Sequence, residues 1–181
     1  FLIDFDDTTG SLKKIYQSPK FAKPGFLTYS HDKKFLYTVA GGNKIKAFKI
    51  KDDGKLRYLN EKISTGQNPC HIEISKSGKT LVVANYSGGG TTAISIAEDG
   101  SLHGEPIAHS HDKFYKEQGK HRQQNQPRAH NVKMSPDGRY VFISDLGLDK
   151  IIVYKFDDKY EKLSLNEPAY VKTTSGAGPR H

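Results

Sequence analysis

One motif recurs three times in this chain and restricts its possible folds more than any other feature. Each copy has residues of alternating polarity, a serine, a tight turn, a basic residue and an apolar run, and the copies span residues 24–37, 70–83 and 130–143. Alternation on both sides of a tight turn predicts a β-hairpin. A further pair of short strands follows each hairpin, at 45–56, 92–102 and 151–163, and the chain opens with the same pair. The repeating unit therefore has four strands.

The spacing of this repeat indicates a β-propeller. Ser30, Ser75 and Ser135 mark the first turn of each unit, so successive units are offset by 45 and then by 60 residues. Four-stranded units of about 40–50 residues are typical of propeller blades. We therefore predict an all-β fold, a β-propeller of four-stranded antiparallel blades with about 3.5 blades present. The predicted single partial domain spans residues 1–181 and comprises the end of one blade (1–22), three blades (23–67, 68–126 and 127–177) and the start of the next (178–181).

The larger offset comes from one polar segment, residues 103–126, which is rich in His and Gln. We predict an irregular loop here, and loops of this length are usually functional or mobile. Because both ends of the chain fall inside the repeat, we expect a fragment of about half a propeller protein.

Charge and cysteine content restrict the partners and the compartment. The formal net charge of +8 attracts nucleic acid, acidic membranes and small anions alike. The lysines alternate with apolar residues or lie in turns, with no aromatic-and-basic binding motif beside them, and no apolar run approaches the roughly 20 residues of a membrane helix. We expect no nucleic-acid partner and no membrane partner.

The single cysteine, Cys70, cannot form an internal disulfide, so we expect a cytoplasmic protein, with the periplasm as the alternative. The oligomeric state stays open.

The order of strands within a blade brings polar residues of successive blades to one end of the ring. The first strand lies nearest the axis and the second runs antiparallel to it, so the loop entering the first and the loop leaving the second share an end. Ligand sites are commonly found on such loops over a rigid scaffold. The polar residues in these loops are His71, His130, His181, Arg128, Arg180, Asn85 and Asp145.

Each of these residues also has a structural interpretation. Histidines that precede inner strands often bridge neighbouring blades. Asn85 and Asp145 end their strands, where Asn and Asp commonly cap backbone amides. The segment Gly88-Gly89-Gly90 predicts a hairpin turn rather than a phosphate loop, because neither a helix nor Gly-Lys-Ser/Thr follows it.

Other reactive residues give weaker indications. His109 and His111, with His103 and His121 nearby, have no carboxylate or thiolate at a recognisable ligand spacing, so we predict no metal site. Cys70 has no catalytic partner pattern and is predicted to be a buried spectator. A Gly-x-Ser-x-Gly motif is absent from the sequence, which argues against a serine-hydrolase route.

The motifs at this end of the predicted blades resemble those of the seven-bladed β-propeller lactonase family. They are Asn68-Pro69-Cys70-His71, Val83-Ala84-Asn85-Tyr86, Arg122-Gln123, Ala129-His130-Asn131-Val132, Ser135-Pro136-Asp137-Gly138-Arg139, Asp145-Leu146-Gly147-Leu148-Asp149-Lys150 and Gly176-Ala177-Gly178-Pro179-Arg180-His181. Ser-Pro-Asp-Gly is common in propellers, whereas the ordered set is specific and covers nearly the whole chain. One difference is that the family pattern Pro-His-Ala-His is here Pro127-Arg128-Ala129-His130.

The resemblance implies hydrolysis of 6-phosphoglucono-1,5-lactone in the pentose phosphate pathway, with a small anionic sugar lactone as substrate and no metal or other cofactor. For this chemistry we assign His130 as general base or proton shuttle, Arg180 as a catalytic residue that acts with Arg122 on the phosphate or oxyanion, and His71 and His181 as positioning residues. Arg128, Asn85 and Asp145 complete the expected substrate-binding set. Two alternatives remain open: a non-catalytic binding module, and a related lactonase or muconate cyclase acting on another anionic substrate.

Overall fold

Strands account for most of residues 1–18 and 20–181, which the computed structural model describes. The first two strands, β1 (Leu2–Phe5) and β2 (Leu12–Tyr16), pair with each other. Three antiparallel four-stranded sheets follow, each in sequence order. Blade 1 contains β3 (Leu27–Tyr29), β4 (Phe35–Ala40), β5 (Lys44–Ile50) and β6 (Leu56–Ile63); blade 2 contains β7 (Pro69–Ile74), β8 (Thr80–Asn85), β9 (Gly90–Ile96) and β10 (Leu102–Ser110); blade 3 contains β11 (Ala129–Met134), β12 (Tyr140–Asp145), β13 (Lys150–Asp157) and β14 (Lys162–Lys172). The predicted fold of four-stranded antiparallel propeller blades is confirmed.

The recurring serine closes the first hairpin of each blade. The Ser135 hydroxyl accepts a hydrogen bond from the backbone N–H of Tyr140, five residues on, at 2.9 Å. The Ser75 and Ser30 hydroxyls accept the equivalent N–H at 3.1 and 2.9 Å. Inside this turn Gly138 has φ +77°, a left-handed conformation that glycine adopts without steric cost. The serine and the residue with left-handed conformation each have a fixed place in the turn, so the motif could be recognised in the sequence.

The blades are held together by apolar packing between their faces. Along β8 every residue is buried, and alternate side chains point to opposite sides of the sheet. Leu81 and Val83 belong to the core shared with blade 1, whereas Val82 and Ala84 belong to the core shared with blade 3. A strand that is apolar on both faces can be buried only between two other sheets, so blade 2 depends on both neighbours.

The predicted loop at residues 103–126 is wrong in its first part. β10 continues to Ser110, and the irregular segment runs from His111 to Arg128 with two short 3-10 turns, Asp112–Phe114 and Arg122–Gln124. β10 is the outer strand of blade 2 and most of its residues are exposed. An exposed edge strand carries the same polar residues as a loop, which is why composition could not distinguish the two. Across the described residues, no helix is long and apolar enough to cross a bilayer.

A buried hydrogen bond between His111 and Asp145 attaches this irregular segment to blade 3. Neither side chain of the pair is exposed, and His111 Nδ1 lies 2.7 Å from Asp145 Oδ2. The other carboxylate oxygen of Asp145 accepts the backbone N–H groups of Arg128 at 2.7 Å and Gly147 at 3.1 Å. One carboxylate therefore joins the start of the segment, the end of the segment and the turn after β12.

Blades 1 and 2 are also joined by a two-way hydrogen bond far from the axis. The side-chain amide of Asn60 donates to the carbonyl of Leu102 at 2.7 Å and accepts the N–H of Leu102 at 2.9 Å. The Asn60 side chain pairs with Leu102 as the backbone of a neighbouring strand would, because its amide offers one donor and one acceptor, as a peptide group does.

We expect Asn60→Ala to lower the unfolding free energy of the full-length protein by about 1–3 kcal/mol, because both backbone groups of Leu102 lose their partner. Urea unfolding followed by circular dichroism measures the change. Asn166→Ala is the matched control, since Asn166 bonds only locally to the carbonyl of Pro168. Equal losses for the two variants would contradict a role for Asn60 between blades.

We expect Asp145→Ala and His111→Ala each to cost about 3–5 kcal/mol, because each leaves a buried polar group without its partner. A double-mutant cycle should give a coupling of about 0.5–3 kcal/mol. Asp137 and Arg139 are the control pair, since their 2.6 Å contact is largely exposed and should show no measurable coupling. Additive losses at Asp145 and His111 would show that their hydrogen bond does not organise this region.

Candidate functional site

The loops that enter and leave the inner strands meet at one end of the blades, which we call the mouth: residues 66–71, 85–90, 126–130, 145–149 and 176–181. Pro69 at the start of β7 pairs with Asn85 at the end of β8, and Ala129 pairs with Asp145 in the same way. The loops approach closely, because a Cβ on Gly147 would lie 2.0 Å from the carbonyl oxygen of Gln126. Only glycine fits at position 147, because any side chain there would collide with the backbone of the neighbouring loop.

The centre of the mouth is formed by His130, Arg180, His181 and Tyr86. A guanidinium nitrogen of Arg180, Nη2, lies 2.9 Å from His130 Nε2. The ring of His181 meets the ring of His130 edge-on with centroids 5.3 Å apart, and Tyr86 does the same from the other side at 5.8 Å. Three elements that are distant in sequence thus contribute to one cluster.

Hydrogen-bond chemistry assigns the protonation state of His130. A guanidinium can only donate, so His130 Nε2 must accept, and the ring proton of the neutral imidazole lies on Nδ1. The pKa of His130 is lowered by burial first, then by the charges of Arg180 and His181, and the nearby backbone of Arg180 has a smaller, opposing effect. His130 is therefore a neutral base at physiological pH.

His71 lies deeper, between the three blades. Its ring stacks on Phe26 with centroids 3.8 Å apart, and its nitrogens face the side-chain amide of Asn131 at 3.1 Å and the N–H of Val132 at 3.5 Å. Burial, reinforced by the charges of His181, His130 and Lys133, lowers the pKa of His71 to about 4. Its ring is 6.4 Å from that of His181. His71 supports the floor of the mouth as a neutral ring, with contacts that bridge the blades.

The remaining arginines differ in how firmly they are held. Arg128 donates from Nε to the carbonyl of Gln123 at 2.7 Å and from Nη2 to the side chain of Asn125 at 2.9 Å. Its guanidinium carbon lies 5.0 Å from the ring centroid of Tyr86, so Tyr86 connects it to His130. Arg122 is exposed in the second 3-10 turn, and among the described residues no side-chain contact brings it to the cluster.

Asn85 and Asp145 do not present their polar atoms to the mouth. Asn85 is 1% exposed; its Oδ1 accepts from the Ser64 hydroxyl at 2.6 Å and its Nδ2 lies 2.9 Å from the Thr92 hydroxyl. Asp145 is fully buried and accepts the three hydrogen bonds described above. Both side chains hold loops in place beneath the surface that a ligand would contact.

Two contributors were not identified from the sequence. Tyr86 packs between His130 and Arg128, and its only signal was its place immediately after Asn85 in a mouth loop. His111 was considered only as a metal ligand, whereas it is the partner of Asp145. A contact between residues 34 positions apart leaves no local signature.

Neither a metal centre nor a reactive thiol is indicated by the residues described. No group of three or more His, Cys, Asp or Glu residues within 1–18 and 20–181 is arranged to hold a metal ion. Burial raises the pKa of Cys70 to about 11, and its sulfur lies 3.4 Å from the carbonyl oxygen of His130. The chemistry available at the mouth is that of a neutral imidazole beside a guanidinium.

Comparison with known proteins agrees with this architecture. The 6-phosphogluconolactonase of Bacillus subtilis is 30% identical over 177 residues, which cover 93% of this chain and 48% of that protein. The 6-phosphogluconolactonase of Formosa agariphila is 32% identical over 190 residues, covering 99% of this chain and 52% of that protein. The crystallised periplasmic gluconolactonase PpgL of Pseudomonas aeruginosa superimposes with a TM-score of 0.88 at 30% identity, again over 99% of this chain and 52% of that one.

The chain thus spans about half the length of the relatives it matches. Residues 2–181 match the family model described as "Lactonase, 7-bladed beta-propeller". With three four-stranded sheets in sequence order and a family match from end to end, the chain belongs to the seven-bladed β-propeller lactonase family.

Proposed function

We propose that the full-length protein hydrolyses 6-phosphoglucono-1,5-lactone to 6-phosphogluconate in the pentose phosphate pathway, by general-base attack of water and without a metal. The observation that carries this proposal is the 2.9 Å contact between His130 Nε2 and the Arg180 guanidinium at the mouth. Ester hydrolysis near neutral pH needs a base to activate water, and a phosphorylated substrate needs a cation to bind its phosphate. The two groups are side by side and reachable from solvent.

The reaction follows from these two groups. Water attacks the lactone carbonyl carbon while His130 Nε2 accepts one of its protons. The carbonyl oxygen becomes an oxyanion, which hydrogen-bond donors of the mouth stabilise. The tetrahedral intermediate then collapses, the bond from the carbonyl carbon to the ring oxygen breaks, and the imidazolium of His130 returns its proton to that oxygen. The open-chain acid leaves and His130 is neutral again.

The other mouth residues are assigned to the substrate. Arg180 binds an anionic group of the substrate, and Arg122, which lies in the neighbouring 3-10 turn outside the cluster, is assigned as a second cation for the phosphate. His181 and Arg128 border the cluster and orient the sugar. His71, Asn85 and Asp145 position these residues from below.

A second candidate is hydrolysis of an unphosphorylated aldonolactone. The similarity to the gluconolactonase of Pseudomonas aeruginosa, 30% identical with a TM-score of 0.88, is the observation that favours it. Parallel assays with the phosphorylated and unphosphorylated lactones distinguish the two, since a 6-phosphogluconolactonase should have the larger kcat/KM on the phosphorylated one.

We expect His130→Ala in the full-length protein to lower kcat/KM for 6-phosphogluconolactone by about 10²–10⁴, the usual contribution of a general base. The assay couples product formation to 6-phosphogluconate dehydrogenase and subtracts the spontaneous rate. His103→Ala is the matched control, because His103 is exposed on β10. A His130→Ala rate within about threefold of wild type would contradict the assignment.

We expect the activity to persist at a pH below the ordinary histidine range. The neutral imidazole is the active form, and burial together with Arg180 and His181 lowers the pKa of His130, so protonation should inactivate the enzyme only at a pH below the usual pKa of a histidine. Removing the neighbouring charge in Arg180→Gln should raise the pKa. NMR titration of the His130 ring protons measures it directly, and Arg139→Gln serves as the control. An unchanged pKa in Arg180→Gln would show that Arg180 does not act on His130.

A further inference from the structure

The lone pair that must accept a proton from water is already occupied. His130 Nε2 accepts a hydrogen bond from Arg180 at 2.9 Å, and a guanidinium has no acceptor with which to reverse the polarity of this bond. The second ring nitrogen, Nδ1, is buried and without a partner among the described residues, so it is shielded from bulk water. With Arg180 in this position, the base has no free lone pair that faces the mouth.

Arg180 is held by this one contact. Its side chain takes part in no ion pair within residues 1–18 and 20–181, and its only described hydrogen bond is the one to His130. The backbone beside it is anchored, because Asp149 accepts the N–H groups of Gly176 at 2.6 Å and Gly178 at 2.8 Å. Arg128 differs, since two of its guanidinium nitrogens are bound to protein oxygens. Within the described residues the side chain of Arg180 is therefore held less firmly than that of Arg128, while the backbone beside it is fixed.

We propose that Arg180 is a substrate-operated cap on His130, which an anionic group of the substrate draws away so that the base becomes free to activate water. This inference rests on the proposed lactonase function. A phosphate or carboxylate accepts two parallel, charge-assisted hydrogen bonds from a guanidinium, whereas the neutral imidazole accepts one. An anion in the mouth therefore competes successfully for Arg180.

With this cap, the phosphate of a substrate would activate the base in addition to contributing to substrate binding. A neutral lactone that binds in the mouth leaves Arg180 on His130 and is hydrolysed slowly. A phosphorylated lactone releases the base as it binds, so that its binding energy appears in kcat as well as in KM. Arg180 is thus a determinant of specificity for anionic lactones.

The test uses the full-length protein, the neutral substrate glucono-1,5-lactone, and inorganic phosphite as a separate anion. We expect phosphite to raise the wild-type kcat saturably by roughly tenfold to a hundredfold, the range that a hydrogen bond to a charged group represents. Arg180→Ala should hydrolyse the neutral lactone faster than wild type does without phosphite, and should no longer respond to phosphite. The rate without enzyme is subtracted at each phosphite concentration.

Arg139→Ala is the matched control, because Arg139 lies in the β11–β12 turn with its side chain largely exposed and should leave the phosphite response intact. A readout without any variant is the ¹⁵N chemical shift of His130 Nε2 in the wild-type protein, which should change as phosphite removes its hydrogen-bond donor. A shift that does not respond to saturating phosphite overturns the cap.

The outcomes separate the cap from the lactonase function. If Arg180→Ala is slower than wild type on the neutral lactone, Arg180 stabilises the oxyanion and the cap is wrong, while wild-type hydrolysis of 6-phosphogluconolactone keeps the proposed function. If the wild-type protein hydrolyses neither lactone above the spontaneous rate, the proposed function fails and the cap with it.

Discussion

Face-to-face packing of four-stranded sheets is the constraint on which the rest of this structure depends. The central sheet is apolar on both sides, with Leu81 and Val83 facing one neighbour and Val82 and Ala84 facing the other. Burial of this kind is the main favourable contribution to folding, and here it is available only between sheets. Away from this central sheet, Tyr29 of blade 1 and Val171 of blade 3 remain exposed.

Because the sheets are fixed relative to one another, the loops at their ends can hold reactive groups at hydrogen-bonding distance. The carboxylate of Asp145 extends this rigidity into the mouth, since it accepts hydrogen bonds from His111 and from the backbone of Arg128 and Gly147. A carboxylate with all its partners is well suited to this role, because charge-assisted hydrogen bonds are shorter and more directional than neutral ones. Asp145 is thus part of the framework of the mouth.

Electrostatics in the mouth favour a neutral base and an anionic ligand together. His130 is partly buried and lies next to Arg180, and both effects disfavour a second positive charge. A ligand that brings a negative charge relieves the repulsion and satisfies the free guanidinium donors. The relatives include enzymes named for phosphorylated and for unphosphorylated lactones.

The repeat, and with it the all-β blade architecture, was determined by the sequence alone. The serine that closes each first hairpin bonds to the residue five positions on, and alternation of side chains is a property of single strands, so both signals are local. The convergence of His71, His130 and Arg180 at one end also followed from strand order.

The tertiary structure decided which polar residues face the mouth, since it buries Asn85 and Asp145 and leaves Arg122 apart from the cluster. It also decided that residues 103–110 form an edge strand and that His111 is the partner of Asp145. Burial and pairing of this kind depend on contacts between blades, and a contact between residues far apart in sequence leaves no periodicity from which it could have been predicted.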